Sequence, residues 1–390
     1  MINASLNIAP ASLSDYRELA RKKLPKQFFD YIDGGAFNES TARQNVKAFE
    51  SLLLRQKVLR DVSEIDQGVE LLGERLSMPL VLAPVGLAGC FARRGEVQAY
   101  RAASQFGIPF CLSTVSICSI EELSREQLAS FWFQLYVIRD RQYSIALLKR
   151  AEKAGCKNLV FTVDLPVVGE RYRDTRNGLG AKSGVIGKLK QGWDLLSHPR
   201  WLWDVPLNGK PLVFGNLTDA VPGASTPGDF KYWVDHQFDP SVTWEDLSWI
   251  RDNWSGNLII KGILDGDDAK RAVAVGTDAL VVSNHGGRQL DSAPASLSVL
   301  PEITRAVNGN CKILFDGGIR SGLDVFKALA LGADACLLGR AWAYALAAGG
   351  ETAISHMLGI LQKELRVAMA LTGVTQVADV NETALYRPES

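Results

Sequence analysis

Eight short apolar runs rich in β-branched residues recur along the chain, and their spacing constrains the fold more than any other feature. They are LVLAPV (80–85), FCLST (110–114), WFQLY (132–136), LVFTVD (159–164), LIIKG (258–262), ALVVSN (279–284), KILFDGG (312–318) and ACLLGR (335–340). Between most of them lies a segment with helical spacing, at 95–107, 119–130, 267–276 and 321–332. Buried strands that alternate with amphipathic helices predict a parallel sheet, because parallel neighbours need a crossover connection. Eight such units predict an α/β chain closed into a (β/α)8 TIM barrel, since a doubly wound sheet more often stops at about five or six strands.

The rhythm breaks once, between the fourth and fifth runs. TWEDLSWIRDNW (243–254) reads as the missing barrel helix, with Thr243 and Asp246 placed as a capping box. Residues 177–240 are therefore an insertion after strand 4 within a single 1–390 domain. Long excursions of this kind serve as lids or binding surfaces. Its tryptophans, Trp193, Trp201, Trp203 and Trp233, supply large apolar area with a polar handle. They fit an arm packed on the barrel or a neighbouring subunit, or a surface that docks on a membrane or a quinone-sized electron acceptor. A helical preface occupies 1–60, and a helix over 351–372 closes the chain.

Charge and cysteine usage narrow the function. Lysine plus arginine equals aspartate plus glutamate at 43 each, so no overall field draws the chain to nucleic acid. The six cysteines show no C-x-x-C and no metal-ligand spacing; they read as reduced core residues of a cytoplasmic protein without a metal. No basic-then-apolar leader opens the sequence, and no run approaches the ~18 apolar residues of a membrane span.

In such a barrel the chemistry sits where strands end and loops begin. The polar or flexible residues there are Gly86, Ser113, Gln134 and Tyr136, Thr162 and Asp164, Lys261, Ser283 and His285, Asp316, then Gly339 and Arg340. After the last two strands, DGGIRSG and LGRA each open a helix with glycine and an arginine, so backbone N–H groups, Arg320 and Arg340 converge on a phosphate-sized anion. Glycines that merely permit tight turns are the plainer reading. The nearest match to a nicotinamide fingerprint, GLGAKSG (178–184), follows no strand and opens no apolar helix. The phosphate then belongs to flavin mononucleotide or to a phosphorylated substrate. Lys261 ends an apolar strand, where an ammonium group is costly unless it faces an anion, a ligand oxygen or a structural ion-pair partner. Four histidines occur (His198, His236, His285 and His356), and no pair has metal-ligand spacing. In VVSNHGGRQLD (281–291), His285 follows a strand and Arg288 can hold a carboxylate through two hydrogen bonds. A base and a clamp on one loop suit an acid carrying a hydroxyl beside its carboxylate, with the two glycines letting a ligand approach.

SNHGGRQLD, with FQLY, TVDLPVVGERYRD, IIKGI, DGGIRSGLDVFKALALGA and LGRA, resembles the FMN-dependent α-hydroxy acid dehydrogenases and oxidases, in the same order from about residue 12 to 375. YIDGGA, APVGLAG, ARRGEVQA, LSTVSICSIEEL, HPRW and FDPS resemble the membrane-associated bacterial L-lactate dehydrogenases within that family. The resemblance implies His285 as the base and Asp164 as the carboxylate that orients it. It implies Arg171 and Arg288 on the substrate carboxylate, with the hydroxyls of Tyr31 and Tyr136 at the carboxylate and the reacting oxygen. FMN would rest on Pro84, Val85 and Gly86 and be held by Ser113, Gln134, Thr162, Lys261 and Ser283. Asp316 would hold the ribityl chain, while Gly317, Gly318, Arg320, Gly339 and Arg340 take the phosphate. Many relatives carry alanine at Gly86, so the glycine implies space beside the flavin for a bulkier side chain or altered oxygen access.

The implied activity is oxidation of an L-2-hydroxy acid, foremost L-lactate to pyruvate, with electrons passed to a quinone of the respiratory chain. The alternatives are an oxidase that makes hydrogen peroxide, a dehydrogenase of aromatic acids such as mandelate, or a catalytically silent FMN-binding barrel. The presence of both His285 and Arg288 speaks against silence. The resemblance also implies a homotetramer, held peripherally on the inner face of the cell membrane through 177–240.

Overall fold

A computed structural model describes residues 9–136, 138–179, 184–220 and 237–386. Eight parallel strands form the centre: β1 (Leu80–Leu82), β2 (Cys111–Ser113), β3 (Trp132–Tyr136), β4 (Asn158–Thr162), β5 (Asn257–Ile263), β6 (Ala279–Val282), β7 (Lys312–Asp316) and β8 (Ala335–Leu338). From β2 to β8 each strand pairs with the next in chain order, and β8 pairs with β1 through Cys336 and Leu80. A parallel bridge between Leu82 and Phe110 joins β1 to the start of β2 and closes the (β/α)8 barrel.

Period-two alternation decides which way each side chain points. Val81, Cys111, Trp132, Val160, Ile259, Val281, Leu314 and Leu337 fill the barrel, together with Leu71 and Leu76 of a hairpin formed by Val69–Leu71 and Glu74–Leu76. That hairpin plugs the end opposite the strand C-termini. Their neighbours, such as Leu80, Leu112, Phe133, Leu159, Leu258, Leu280, Ile313 and Cys336, face outward into the helix layer. Burying each such leucine contributes about 1.5–3 kcal/mol, so a one-residue slip in any strand would forfeit much of the core.

The preface supplies α1 (Leu13–Lys23), α2 (Lys26–Asp33) and α3 (Ser40–Glu50). Around the barrel follow α4 (Gly95–Gln105), α5 (Ile120–Ser124) and α6 (Arg141–Lys153), then α7 (Tyr172–Asn177), α8 (Val185–Leu196) and α9 (Pro199–Leu202) of the excursion after β4. The circuit ends with α10 (Leu247–Asp252), α11 (Gly266–Ala274), α12 (Ser296–Val307), α13 (Gly322–Ala330) and α14 (Arg340–Thr372), the last broken by non-helical backbone at Gly349 and Gly350. α1 lies against α14.

The helix expected over 119–130 is shorter than its pattern suggested. It is capped by the Ser119 hydroxyl and stops at Ser124, and Gln127 soon takes a left-handed φ of 53° that no α-helix accommodates. The capping box at Thr243 and Asp246 forms as expected, ahead of one 3₁₀ turn and α10. The insertion divides its tryptophans. Trp201 is buried against Phe28 with ring centroids 5.1 Å apart, and its Nε1 donates to the Cys90 carbonyl; Trp193 and Trp203 face solvent. Trp233 and His236 lie outside the described residues. Five of the six thiols are buried, and burial pushes even the half-buried Cys311 up to about 11, which keeps these groups protonated and inert.

Candidate active site

A cavity of about 1360 Å³, counting the space at its open mouth, lies over the C-terminal ends of the strands. The structure brings to it Tyr31, Pro84, Val85, Gly86, Tyr136, Thr162, Arg171, Lys261, His285 and Arg288, with Asp316, Gly317, Gly318, Arg320, Gly339 and Arg340 at the β7 and β8 end. Four residues expected in the site, Ser113, Gln134, Asp164 and Ser283, stand behind the wall rather than in it.

Behind the wall they orient what lines it. Asp164 Oδ1 lies 2.7 Å from His285 Nδ1. Burial alone would raise the Asp164 carboxyl, but His285 and Lys261 outweigh it and hold it below its usual range. For His285 burial prevails and lowers the imidazole below its ordinary 6.5 despite the pull of Asp164, so the ring is neutral at pH 7. With Nδ1 committed to Asp164, Nε2 is the nitrogen left to accept a proton. The backbone of His285 is left-handed at φ 57°, and its N–H donates to Ser283 Oγ at 3.0 Å. Ser283 Oγ in turn donates to Asp316 at 2.8 Å and accepts from Lys261 Nζ at 3.1 Å. Burial opposes the charge on Lys261, but Asp164 and Asp316 prevail, raise its pKa and keep it an ammonium.

A glycine makes the Asp164 pairing feasible. β5 bulges between Lys261 and Ile263 in its pairing with β6, and the residue at the bulge, Gly262, has φ 115°. A Cβ there would come within 2.6 Å of Asp164 Cβ. The bulge shifts the register by one residue after Lys261, leaving Gly262 unpaired with β6 and Asp164 the room it needs beside His285.

Two pairs of like charges line the cavity. The Arg171 guanidinium lies 5.7 Å from the Tyr31 ring centroid, and that of Arg288 lies 4.8 Å from it. Arg288 also donates to the carbonyls of Tyr31 and Gly34. Burial, then repulsion from Arg171, pushes Arg288 down to about 10. At the far end burial lowers Arg340, with Arg320 adding to the effect. Each pair is a concentration of positive charge that an anion would relieve: a carboxylate between Arg171 and Arg288, a phosphate near Arg320 and Arg340.

Polar atoms without partners fit a bound heterocycle. Gln134 Nε2, Thr162 Oγ1, Asp164 Oδ2 and Arg171 Nε are all buried and without a hydrogen-bond partner among the described residues. Such clustering is costly unless a ligand completes the bonds. Gly339 lines the cavity, and the place its Cβ would occupy is open, as a cradle for a ligand requires. These features accommodate a flavin ring along β1 to β5 and its phosphate over β7 and β8.

Three expectations need correction. Gly86 leaves no spare room, because Val115 has taken it: a Cβ would fall 2.8 Å from Val115 Cγ2. The loop glycines after His285 serve the protein as much as a ligand. At Gly287 a Cβ would strike the Ala42 backbone of α3 at 2.5 Å, and at Gly286 it would meet Arg340. The N-terminus of α13 is already capped by the protein's own groups: Ser321 Oγ accepts from the Asp324 N–H, and the Glu364 carboxylate accepts from Gly322. What reaches the cavity is the loop before that helix, Gly317 to Arg320. Arg340 itself donates to the carbonyls of Ile32, Gly286 and Gly34, which uses three of its five N–H bonds.

The apolar wall escaped the sequence reading. Val115, Leu165, Val168, Phe214 and Phe238 line the cavity, and Phe238 packs on Tyr136 at 5.2 Å between ring centroids. Phe214 and Phe238 come from the excursion after β4, where no periodicity marks a side chain as inward-facing.

The chain matches the family described as FMN-dependent dehydrogenase over residues 20–387. It is 50% identical over 377 residues to a protein of Alcaligenes faecalis named L-lactate dehydrogenase, covering 97% of this chain and 99% of that one. It is 52% identical over 375 residues to a Caulobacter vibrioides protein of the same name, covering 96% and 97%. The solved structure of the monotopic membrane protein (S)-mandelate dehydrogenase matches with a TM-score of 0.90 and 38% identity, covering 97% and 99%. That of mandelate oxidase matches at 0.82 and 36%, covering 97% and 98%.

Proposed function

Because the chain belongs to the family of FMN-dependent dehydrogenases, we propose that its barrel-top cavity oxidises an L-2-hydroxy acid, L-lactate in preference to larger acids, to the 2-oxo acid. The single observation that carries this reading is the half-buried Asp164–His285 pair at 2.7 Å beside two arginines that repel one another. The relatives at 50–52% identity are named for L-lactate, which supports the small acid.

The residues divide the work. Arg171 and Arg288 take the carboxylate, and both guanidinium groups lie against the Tyr31 ring. Tyr136, whose hydroxyl burial keeps protonated, donates a hydrogen bond toward the substrate oxygen. His285 Nε2 accepts the substrate's proton, and Asp164 stabilises the imidazolium that results. FMN, when bound, supplies the two-electron acceptor. Gln134, Thr162 and Lys261 would hold its ring, with Ser113 and Ser283 supporting them from behind; Asp316 would hold the ribityl chain, and Gly317, Gly318, Arg320, Gly339 and Arg340 the phosphate. The cavity's closed apolar side, made by Val115, Leu165, Val168, Phe214 and Phe238, excludes water from the reacting face.

Purified protein should be yellow and should bleach anaerobically with L-lactate but not D-lactate. A yellow protein that stays oxidised with every 2-hydroxy acid would overturn the reading. A second reading, an aromatic acid such as mandelate, is favoured by the aromatic wall and by the names of the matching structures. Faster bleaching with (S)-mandelate than with L-lactate would establish it.

The electron acceptor we assign is a quinone reached from a membrane surface. Val185, Ile186, Leu189, Trp193 and Leu196 of α8 are 68–77% exposed. At helical spacing they fall within an arc of about 100°, an amphipathic face suited to lying in a lipid interface. No helix among the described residues is long and apolar enough to cross a membrane. Sedimentation with lipid vesicles, lost in Leu189→Glu, tests the docking. Reoxidation by quinone rather than by air-saturated buffer tests the acceptor, and light scattering tests the tetramer.

A further inference from the structure

We propose that Asp33 is a positioning residue for the substrate and cofactor sites: its carboxylate fixes, relative to one another, the three elements that carry Tyr31, Arg171 and Arg340. Asp33 touches neither site. It ends α2, two residues after Tyr31, and its side chain is 5% exposed. Arg17 of α1 donates to both oxygens, Nε to Oδ1 at 2.6 Å and Nη2 to Oδ2 at 2.9 Å. Arg173 Nη1 of α7 donates to Oδ2 at 2.7 Å. Tyr344 of α14 donates its hydroxyl to Oδ1 at 2.7 Å. Four hydrogen bonds on one buried carboxylate leave it little orientational freedom.

Each partner stands next to a site residue on its own element. Arg173 is two residues from Arg171, and its other edge is pinned by Glu39, with Nε 2.6 Å from Oε1. Tyr344 is one helical turn after Arg340. The carbonyls of Tyr31, Ile32 and Gly34, which cluster around Asp33, are the acceptors of Arg288 and Arg340. The end of α2 is thus a hub where ion pairs from the preface and α7 meet a hydrogen bond from α14, and Arg171, Arg288 and Arg340 take their bearings from it. A barrel alone would leave these groups on independent loops. Their mutual placement depends on a helix that precedes the barrel in the chain.

The inference rests on the assignment of Tyr31 and Arg171 to the acid's carboxylate, so the test carries a control for that assignment. In the FMN-loaded enzyme, Arg173→Gln should raise KM for L-lactate about 10- to 100-fold, because weakening one charge-assisted hydrogen bond to the acid's carboxylate costs that much in binding. Its kcat should be unchanged, as for a loss of binding common to ground and transition states, and Arg173→Lys should recover part of the loss. Tyr344→Phe removes one hydrogen bond with little risk to folding and should weaken FMN binding, read as a raised dissociation constant by fluorescence. Arg171→Met is the control. If it raises KM while Arg173→Gln lowers only the melting temperature, Asp33 is structural and the inference is overturned. If Arg171→Met leaves KM unmoved, the carboxylate assignment fails and this inference with it.

Discussion

Replacing Asp164 by Asn isolates the contribution of one carboxylate to the proposed base. The substitution keeps shape and removes a charge 2.7 Å from His285 Nδ1, in a pair whose side chains are only 12% and 19% exposed. A close opposite charge shifts a pKa by about 1–3 units, or about 1.4–4 kcal/mol. His285 is already below its ordinary 6.5 because burial outweighs Asp164. Without that carboxylate it falls further. Only the neutral ring acts as a base, so kcat/KM in the parent rises as pH passes upward through the His285 pKa and is flat above 6.5. In the variant the rising limb moves to lower pH. The plateau nevertheless drops by about 10- to 1000-fold, because the imidazolium formed as the proton arrives has lost its stabilising partner. The assay is anaerobic stopped-flow reduction of the bound flavin by L-lactate between pH 4.5 and 8, at matched FMN content. An unchanged plateau, or a limb displaced to higher pH, would refute both the pairing and the direction of the shift.

Gly262→Ala should slow flavin reduction through the same pair, since the added Cβ meets Asp164 and the backbone at φ 115° disfavours any side chain. Combined with Asp164→Asn its effect on the pH limb should vanish, whereas equal effects on both backgrounds would mean generic strain. Gly86→Ala should cost about 1–3 kcal/mol of stability by overpacking, and Val115→Ala should relieve part of that cost; additive denaturation energies would refute the contact. Gly339→Ala should leave the melting temperature of the apoprotein nearly unchanged but weaken FMN retention, because the methyl group enters open cavity space. Full flavin occupancy after gel filtration would show that nothing binds there.

What was legible in the sequence was whatever depends on local period. Alternating strands separated by helical segments determined the barrel, and the rule that strand C-termini face the site picked out Tyr136, Thr162, Lys261, His285, Asp316 and Arg340 without any knowledge of contacts. Arg320 and Arg340 and the loop carrying His285 and Arg288 were visible for the same reason. Only the tertiary structure decided which residues work together. Asp164 and His285 are 121 positions apart, and their bond exists because β4, β5 and β6 are neighbours with a bulge at Gly262. Val115 closes the space that a glycine at 86 would otherwise open, two insertion phenylalanines complete the wall, and Asp33 gathers arginines and a tyrosine from α1, α7 and α14. Such contacts leave no periodic trace, because a loop residue's direction and a charge's partner are set by closure of the whole barrel rather than by the residues beside it.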